Sequence, residues 1–256
     1  MNCKLLNVAV SLLATVACTA TPNGVPGSEA SAVSESMASS ERDSVKGETD
    51  DVSSDLPDRY ARLTEDDYRQ VAEELGVEVA AIKAVVDIEA GVKHQGFSAP
   101  GKALVNFDLS MFRKFSQNRG VNLNKYRKSH STVFSAPNAK KYGSHQAAQL
   151  ERLEQAKTIN HDAAIEGTFW GMFQIGGFNW KKCGAESLDD FERRMNLSER
   201  EQLEMFAQFM KNDGLVKYLK NKDWAGFALR YNGPGYRKRN YHGRMAAAYN
   251  KYKKKK

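Results

Sequence analysis

The chain has 256 residues and a mass of 28.6 kDa, with 41% hydrophobic and 27% charged positions. That is enough apolar material for one sizeable core and too much for a wholly disordered chain, and three cysteines are too few for a disulfide-stapled scaffold. A net charge of +7 favours a polyanionic partner, for which nucleic acid, anionic lipid and cell wall all qualify.

The first segment, residues 1–18, places Lys4 before a mostly apolar run from Leu5 to Ala17, the layout of an export signal and too short to span a bilayer. It ends Thr15-Val16-Ala17-Cys18, which resembles a bacterial lipoprotein processing site with Cys18 as the acylated residue; the alternative is ordinary signal cleavage just past Ala20. Residues 19–58 read as a disordered acidic linker. Pro22 to Asp58 holds nine serines, nine acidic side chains, no aromatic residue and only Arg42 and Lys46 as cations. Such a segment buries too little apolar surface to offset its ordering entropy, and as a coil of this length it reaches on the order of 35 Å. The remaining domain, 59–256, carries +13.

That domain reads as mainly α, with at most a small β element. Thr64 and Asp67 form a capping-box start for a helix to Gly76. A second helix over 78–90 repeats Val79, Ile82, Val85, Val86 and Glu89 at three- and four-residue spacing, with Gly91 as its stop. From Lys93 to Tyr142 the pattern is irregular, with a short strand expected at 103–107. Further helices are expected at 145–158, 161–167, 188–195 with Ser187 as cap, 199–212 with Ser198 and Glu201 as a capping box, 223–230 and 240–252.

Cys183 is the one cysteine of the domain and reads as an inert thiol rather than a nucleophile. The five histidines show no metal-ligand spacing, so neither a metal nor another cofactor is expected. Glu89 is the leading candidate for chemistry. It shares the helix face of Ile82, Val85 and Val86 and lies in the last turn, where desolvation and the negative end of the helix dipole both disfavour ionisation. A carboxyl still protonated near neutral pH is what a general acid for glycosidic cleavage needs. Two later motifs strengthen the reading. Residues 167–177 pack glycines and aromatics around Gln174, and residues 227–236 put Tyr231 and Asn232 ahead of a turn, a composition suited to binding hydroxyl and acetamido groups. Trp170, Phe173 and Phe227 fit either a sugar groove or the core.

Taken in order, IEAG at 88–91, WGMFQI at 170–175 and YNGPGY at 231–236 resemble the motifs of the lysozyme and lytic transglycosylase superfamily, and most closely the N-acetylmuramidase domain of phage endolysins and related bacterial proteins. The resemblance covers roughly residues 75–249. It implies a lysozyme-like helical fold and cleavage between N-acetylmuramic acid and N-acetylglucosamine, with Glu89 as the catalytic glutamate. A second family carboxylate maps onto Asp108, where Asp replaces Glu and Ser110 stands in place of a His. Glu166 is expected either to bond within the site or to hold the adjoining loop. Substrate contacts are expected from Glu166, Trp170, Gln174, Tyr231 and Asn232. Two alternatives stay open: a lytic transglycosylase using Glu89 alone and giving 1,6-anhydro products, and a catalytically silent peptidoglycan-binding lipoprotein. The expected location is periplasmic or outer-envelope, anchored through Cys18. From Arg230 to Lys256 there are ten Lys or Arg and no Asp or Glu, either a wall-seeking surface or a solvated tail. Nucleic acid is disfavoured as a partner, because the chain reads as exported and carries no reading motif.

Overall fold

A computed structural model of the protein describes residues 62–90 and 95–254. The readings of an export signal, an acylated Cys18, an acidic linker and a helix stop at Gly91 lie outside those residues.

Helix α1 (Glu65–Leu75) begins where Thr64 Oγ1 accepts from the Asp67 amide while Asp67 accepts from the Thr64 amide, the reciprocal box read from the sequence. Gly76, at φ +61°, ends it in the left-handed conformation. Helix α2 (Val79–Glu89) is the central rod, with Ala81, Ile82, Ala84, Val85 and Val86 at 0–1% exposure. Burying each of the three branched side chains contributes roughly 1.5–3 kcal/mol. The last helix, α12 (Tyr241–Lys253), lies along α2. Two phenols fasten it: Tyr249 donates to Glu78 at 2.7 Å and Tyr252 donates to Asp87 at 2.7 Å.

The expected strand at 103–107 is two strands separated by Leu104. β1 (Phe97–Ala99) and β2 (Lys102–Ala103) form an antiparallel hairpin. β3 (Val105–Phe107) pairs with β4 (Thr168–Trp170) in the register Val105↔Trp170, and β4 pairs with β5 (Ile175–Gly176). Leu104 joins the two sheets: its amide donates to Gly96 O and its carbonyl accepts from the Gly171 amide, both at 2.8 Å.

The irregular 93–142 region also contains helix α3 (Leu109–Asn118) and two single-turn helices, α4 (Ser131–Phe134) and α5 (Ala139–Tyr142). Then come α6 (His145–Ile159) and α7 (His161–Glu166), close to their expected bounds. One face of α6 clamps β3 through side chains. Gln146 accepts from the Val105 amide and donates to the Val105 carbonyl, each at 3.0 Å. Gln149 donates to Asn106 Oδ1, and buried Arg152 donates to Phe107 O and Val133 O.

Helix α8 (Leu188–Met195) carries its expected cap, Ser187 accepting from the Asp190 amide, while α9 (Glu199–Asn212) has only half of its expected capping box: Ser198 accepts from the Glu201 amide, but the Glu201 carboxylate accepts from Arg194 instead of the Ser198 amide. A short α10 (Val216–Lys220) leads to α11 (Trp224–Asn232), which runs two residues past its expected end and so includes Tyr231 and Asn232. The fold is mostly helical with small antiparallel sheets, as the sequence indicated.

Candidate active site

Glu89 is the final residue of α2, and its surroundings come from two other helices. From the end of α11, Asn232 Nδ2 donates to Glu89 Oε1 at 3.1 Å. From α12, the exposed Arg244 guanidinium acts on the same carboxyl through its charge. Glu89 keeps a partial opening to solvent, yet its carboxyl is packed closely enough that burial pushes its pKa up from 4.5 to about 7; the Asn232 bond and the Arg244 charge pull it back. The group is therefore half protonated near neutrality while remaining accessible.

Asn232 is only 8% exposed, and its Oδ1 is buried with no hydrogen-bond partner. A buried acceptor left empty costs free energy, and it lies on the amide that grips Glu89. Tyr231 donates its hydroxyl to Phe173 O at 3.1 Å. Burial and the nearby Glu89 charge hold that phenol well above its usual range. Its ring packs between Phe206, Phe209 and Phe227, so it serves more as a pillar than as a free platform.

The bond from Tyr231 reaches into the turn that joins β4 to β5, Gly171 to Gln174. Gly171 sits at φ +68°, and a Cβ there would come within 2.7 Å of the Gln202 side chain. Gln174, also left-handed at φ +48°, donates one Nε2–H back to Gly171 O at 2.9 Å, so one of its two amide hydrogens is held by the turn. Behind the turn stands a buried pair on α9 that sequence reasoning did not single out. Gln202 Oε1 accepts from the Met172 amide at 2.8 Å, while its Nε2 donates to Gly96 O and Met195 O. Glu199, 2% exposed, accepts from the Gly96 amide at 2.9 Å. The signal was present: these two polar residues lie at the head of an apolar stripe formed by Leu203, Phe206 and Met210.

The remaining candidates are placed as follows. Asp108 is the N-cap of α3: its Oδ1 accepts from the Ser110 amide, the Ser110 hydroxyl and the Met111 amide at 2.8, 2.5 and 3.0 Å. Glu166 accepts from Arg119 at 2.8 Å and ties the end of α7 to the end of α3. Trp170 is 1% exposed, donates to Ile165 O at 3.2 Å and packs edge-on against Phe191. It is a core residue with no face left for a sugar, which corrects the expectation of a substrate contact. Cys183 is fully buried, and burial pushes its thiol up to about 12, too high for a nucleophile at neutral pH. Among the described residues no cluster of His, Cys, Asp and Glu is arranged to hold a metal ion.

A family model described as N-acetylmuramidase matches residues 78–253. Among solved structures the chain is similar to a Burkholderia AP3 phage endolysin, with 30% sequence identity and a TM-score of 0.62, over 77% of this chain and 72% of that one. No curated protein matches the chain.

Proposed function

The chain belongs to the N-acetylmuramidase family of peptidoglycan glycosidases, and from that premise we propose that it cleaves glycan strands between N-acetylmuramic acid and N-acetylglucosamine with Glu89 as general acid. The observation that carries the proposal is the Glu89 carboxyl, raised to about 7 at an opening to solvent and gripped by Asn232. In its protonated form Glu89 donates to the glycosidic oxygen as the bond to the anomeric carbon breaks and an oxocarbenium-like centre develops. The resulting carboxylate is steadied by the Asn232 amide and the Arg244 charge. The empty Oδ1 of Asn232 is an acceptor suited to a substrate N–H or hydroxyl, and Gln174 Oε1 is a second acceptor at the β4–β5 turn.

Hydrolysis by two carboxylates gives Asp108 the part of base or electrostatic stabiliser. A specific observation favours a second reading. Asp108 Oδ1 already accepts three bonds as a helix cap, which suits a reaction run by Glu89 alone, with the muramyl 6-hydroxyl attacking the anomeric carbon and Glu89 taking back the proton. The run Leu5–Ala17, Cys18 and the acidic segment 22–58 support an exported, lipid-anchored enzyme tethered near the wall.

Mass spectrometry of purified peptidoglycan after incubation with the wild-type chain and Glu89→Gln tests both readings. Reducing muramic acid ends, absent with the variant, are the expected result; 1,6-anhydro ends would establish the second reading. Undiminished cleavage by a folded Glu89→Gln protein would refute the assignment of Glu89.

A further inference from the structure

We propose that the lobe formed by residues 109–150 docks the peptide stems of peptidoglycan, anchored at an open cleft beside Arg113. The proposal rests on the reading of the chain as a peptidoglycan enzyme, and deepens it by naming the part of the polymer that a second surface recognises.

These 42 residues contain eight Lys or Arg and no Asp or Glu. Arg119 is neutralised from outside the lobe by Asp162 and Glu166. The other seven cations are exposed, and none makes an ion pair among the described residues. With no carboxylate of its own, this cationic surface favours a ligand that brings its own carboxylates.

Within the lobe lies an open cleft of about 370 Å³ lined by Arg113, Gln117, Val121, Asn122, Leu123 and Asn124. Arg113 and Gln117 stand one turn apart on α3, and the other four come from the segment that follows. A guanidinium fork suits a carboxylate, three amide side chains suit peptide N–H and C=O groups, and Val121 and Leu123 supply an aliphatic floor. A short peptide with free carboxylates satisfies all three, and the volume lies within the range of small-ligand sites.

Other polyanions fit less well. The exposed large hydrophobic residue, Leu229, lies outside the lobe, so no such side chain is offered here for insertion into a bilayer. The rings at Phe115, Phe134 and Tyr142 are already covered by Lys114, Arg127 and Lys141 of the chain itself, and Tyr126 packs against His130, which leaves little aromatic surface for stacked bases.

The test titrates the full chain with a synthetic stem peptide bearing free carboxylates, and separately with polyphosphate and with phosphatidylglycerol vesicles. The stem peptide is expected to bind saturably and more weakly as salt rises. Arg113→Glu should weaken it roughly tenfold, with Arg113→Lys keeping part of the affinity. Arg113 is exposed, so charge reversal leaves the core intact, and circular dichroism checks this. Absent peptide binding, or binding indifferent to Arg113→Glu, overturns the proposal. So does polyphosphate or vesicle binding that requires Arg113, Lys125 and Lys128 when peptide binding does not. Binding is read without turnover: a chain that holds the peptide but leaves glycan intact counts against the proposed cleavage, and one that cleaves without holding it counts against the docking surface alone.

Discussion

Replacing Glu89 by Gln should make the folded protein more stable, by an amount set by pH. In the folded state the carboxyl titrates at about 7, against 4.5 when unperturbed. Between those values the folded protein keeps a proton that the unfolded chain has released, so wild-type stability falls as pH rises through the window and is level above it. Roughly two and a half pH units at about 1.4 kcal/mol each bound the loss at about 3.5 kcal/mol, and the opening to solvent screens part of it. Gln keeps the shape and the capacity to pair with Asn232 but cannot ionise. Urea denaturation of both proteins at pH 4, 5, 6, 7 and 8 measures the effect. The two should coincide near pH 4, and the variant should lead increasingly up to about pH 7 while losing all cleavage. A stability difference that stays flat across the series, or that turns in favour of the wild type at high pH, would refute the account of a desolvated carboxyl.

Removing the bond that lowers the Glu89 pKa, with Asn232→Ala, should move the alkaline limb of the pH–rate profile upward, because the acid then keeps its proton to higher pH; cleavage assays from pH 5 to 9 read this. Asp108→Asn retains a good helix cap but removes the charge. Cleavage should fall by a factor of about 10²–10⁴ if a second carboxylate takes part as acid–base catalyst, and stay near wild type if Glu89 acts alone, as kinetics on a defined glycan will show. Gln202→Leu strands the Met172 amide and the Gly96 and Met195 carbonyls, and should cost about 2–4 kcal/mol in urea unfolding. Gly171→Ala combines a left-handed backbone with a Cβ placed 2.7 Å from Gln202, and should lower stability by about 1–3 kcal/mol in the same assay.

What could be read from the chain in advance follows the range of the interactions involved. α1, α8 and α9 are announced by caps within four residues of their starts, and α2 by its apolar spacing, so local sequence suffices for them. β4 and β5 have three and two residues and carry no period; β4 is made a strand by pairing with β3, more than sixty residues away, and β5 by folding back onto β4. Asp108 shows how one residue type supports two readings. Its carboxylate drew attention as a possible second acid, while the Leu-Ser-Met that follows it needed a cap to begin α3. Trp170 has the composition of a sugar platform, and only the packing of Phe191 and the Ile165 carbonyl around it fixes it in the core. Glu199 and Gln202 act on Gly96, about a hundred residues away in sequence, a contact that neither local pattern nor motif can express.

The Gln146 clamp on β3 bears on how the protein behaves in a crowd. A sheet this small ends in unpaired N–H and C=O groups, and such an edge is where a second chain adds a strand and aggregation begins. At Val105 both groups are already taken by a single side-chain amide, which mimics the rung that a neighbouring strand would offer. Helix α6 thus closes the ladder without extending it, and the strand that leads to Asp108 is kept from recruiting another copy of itself.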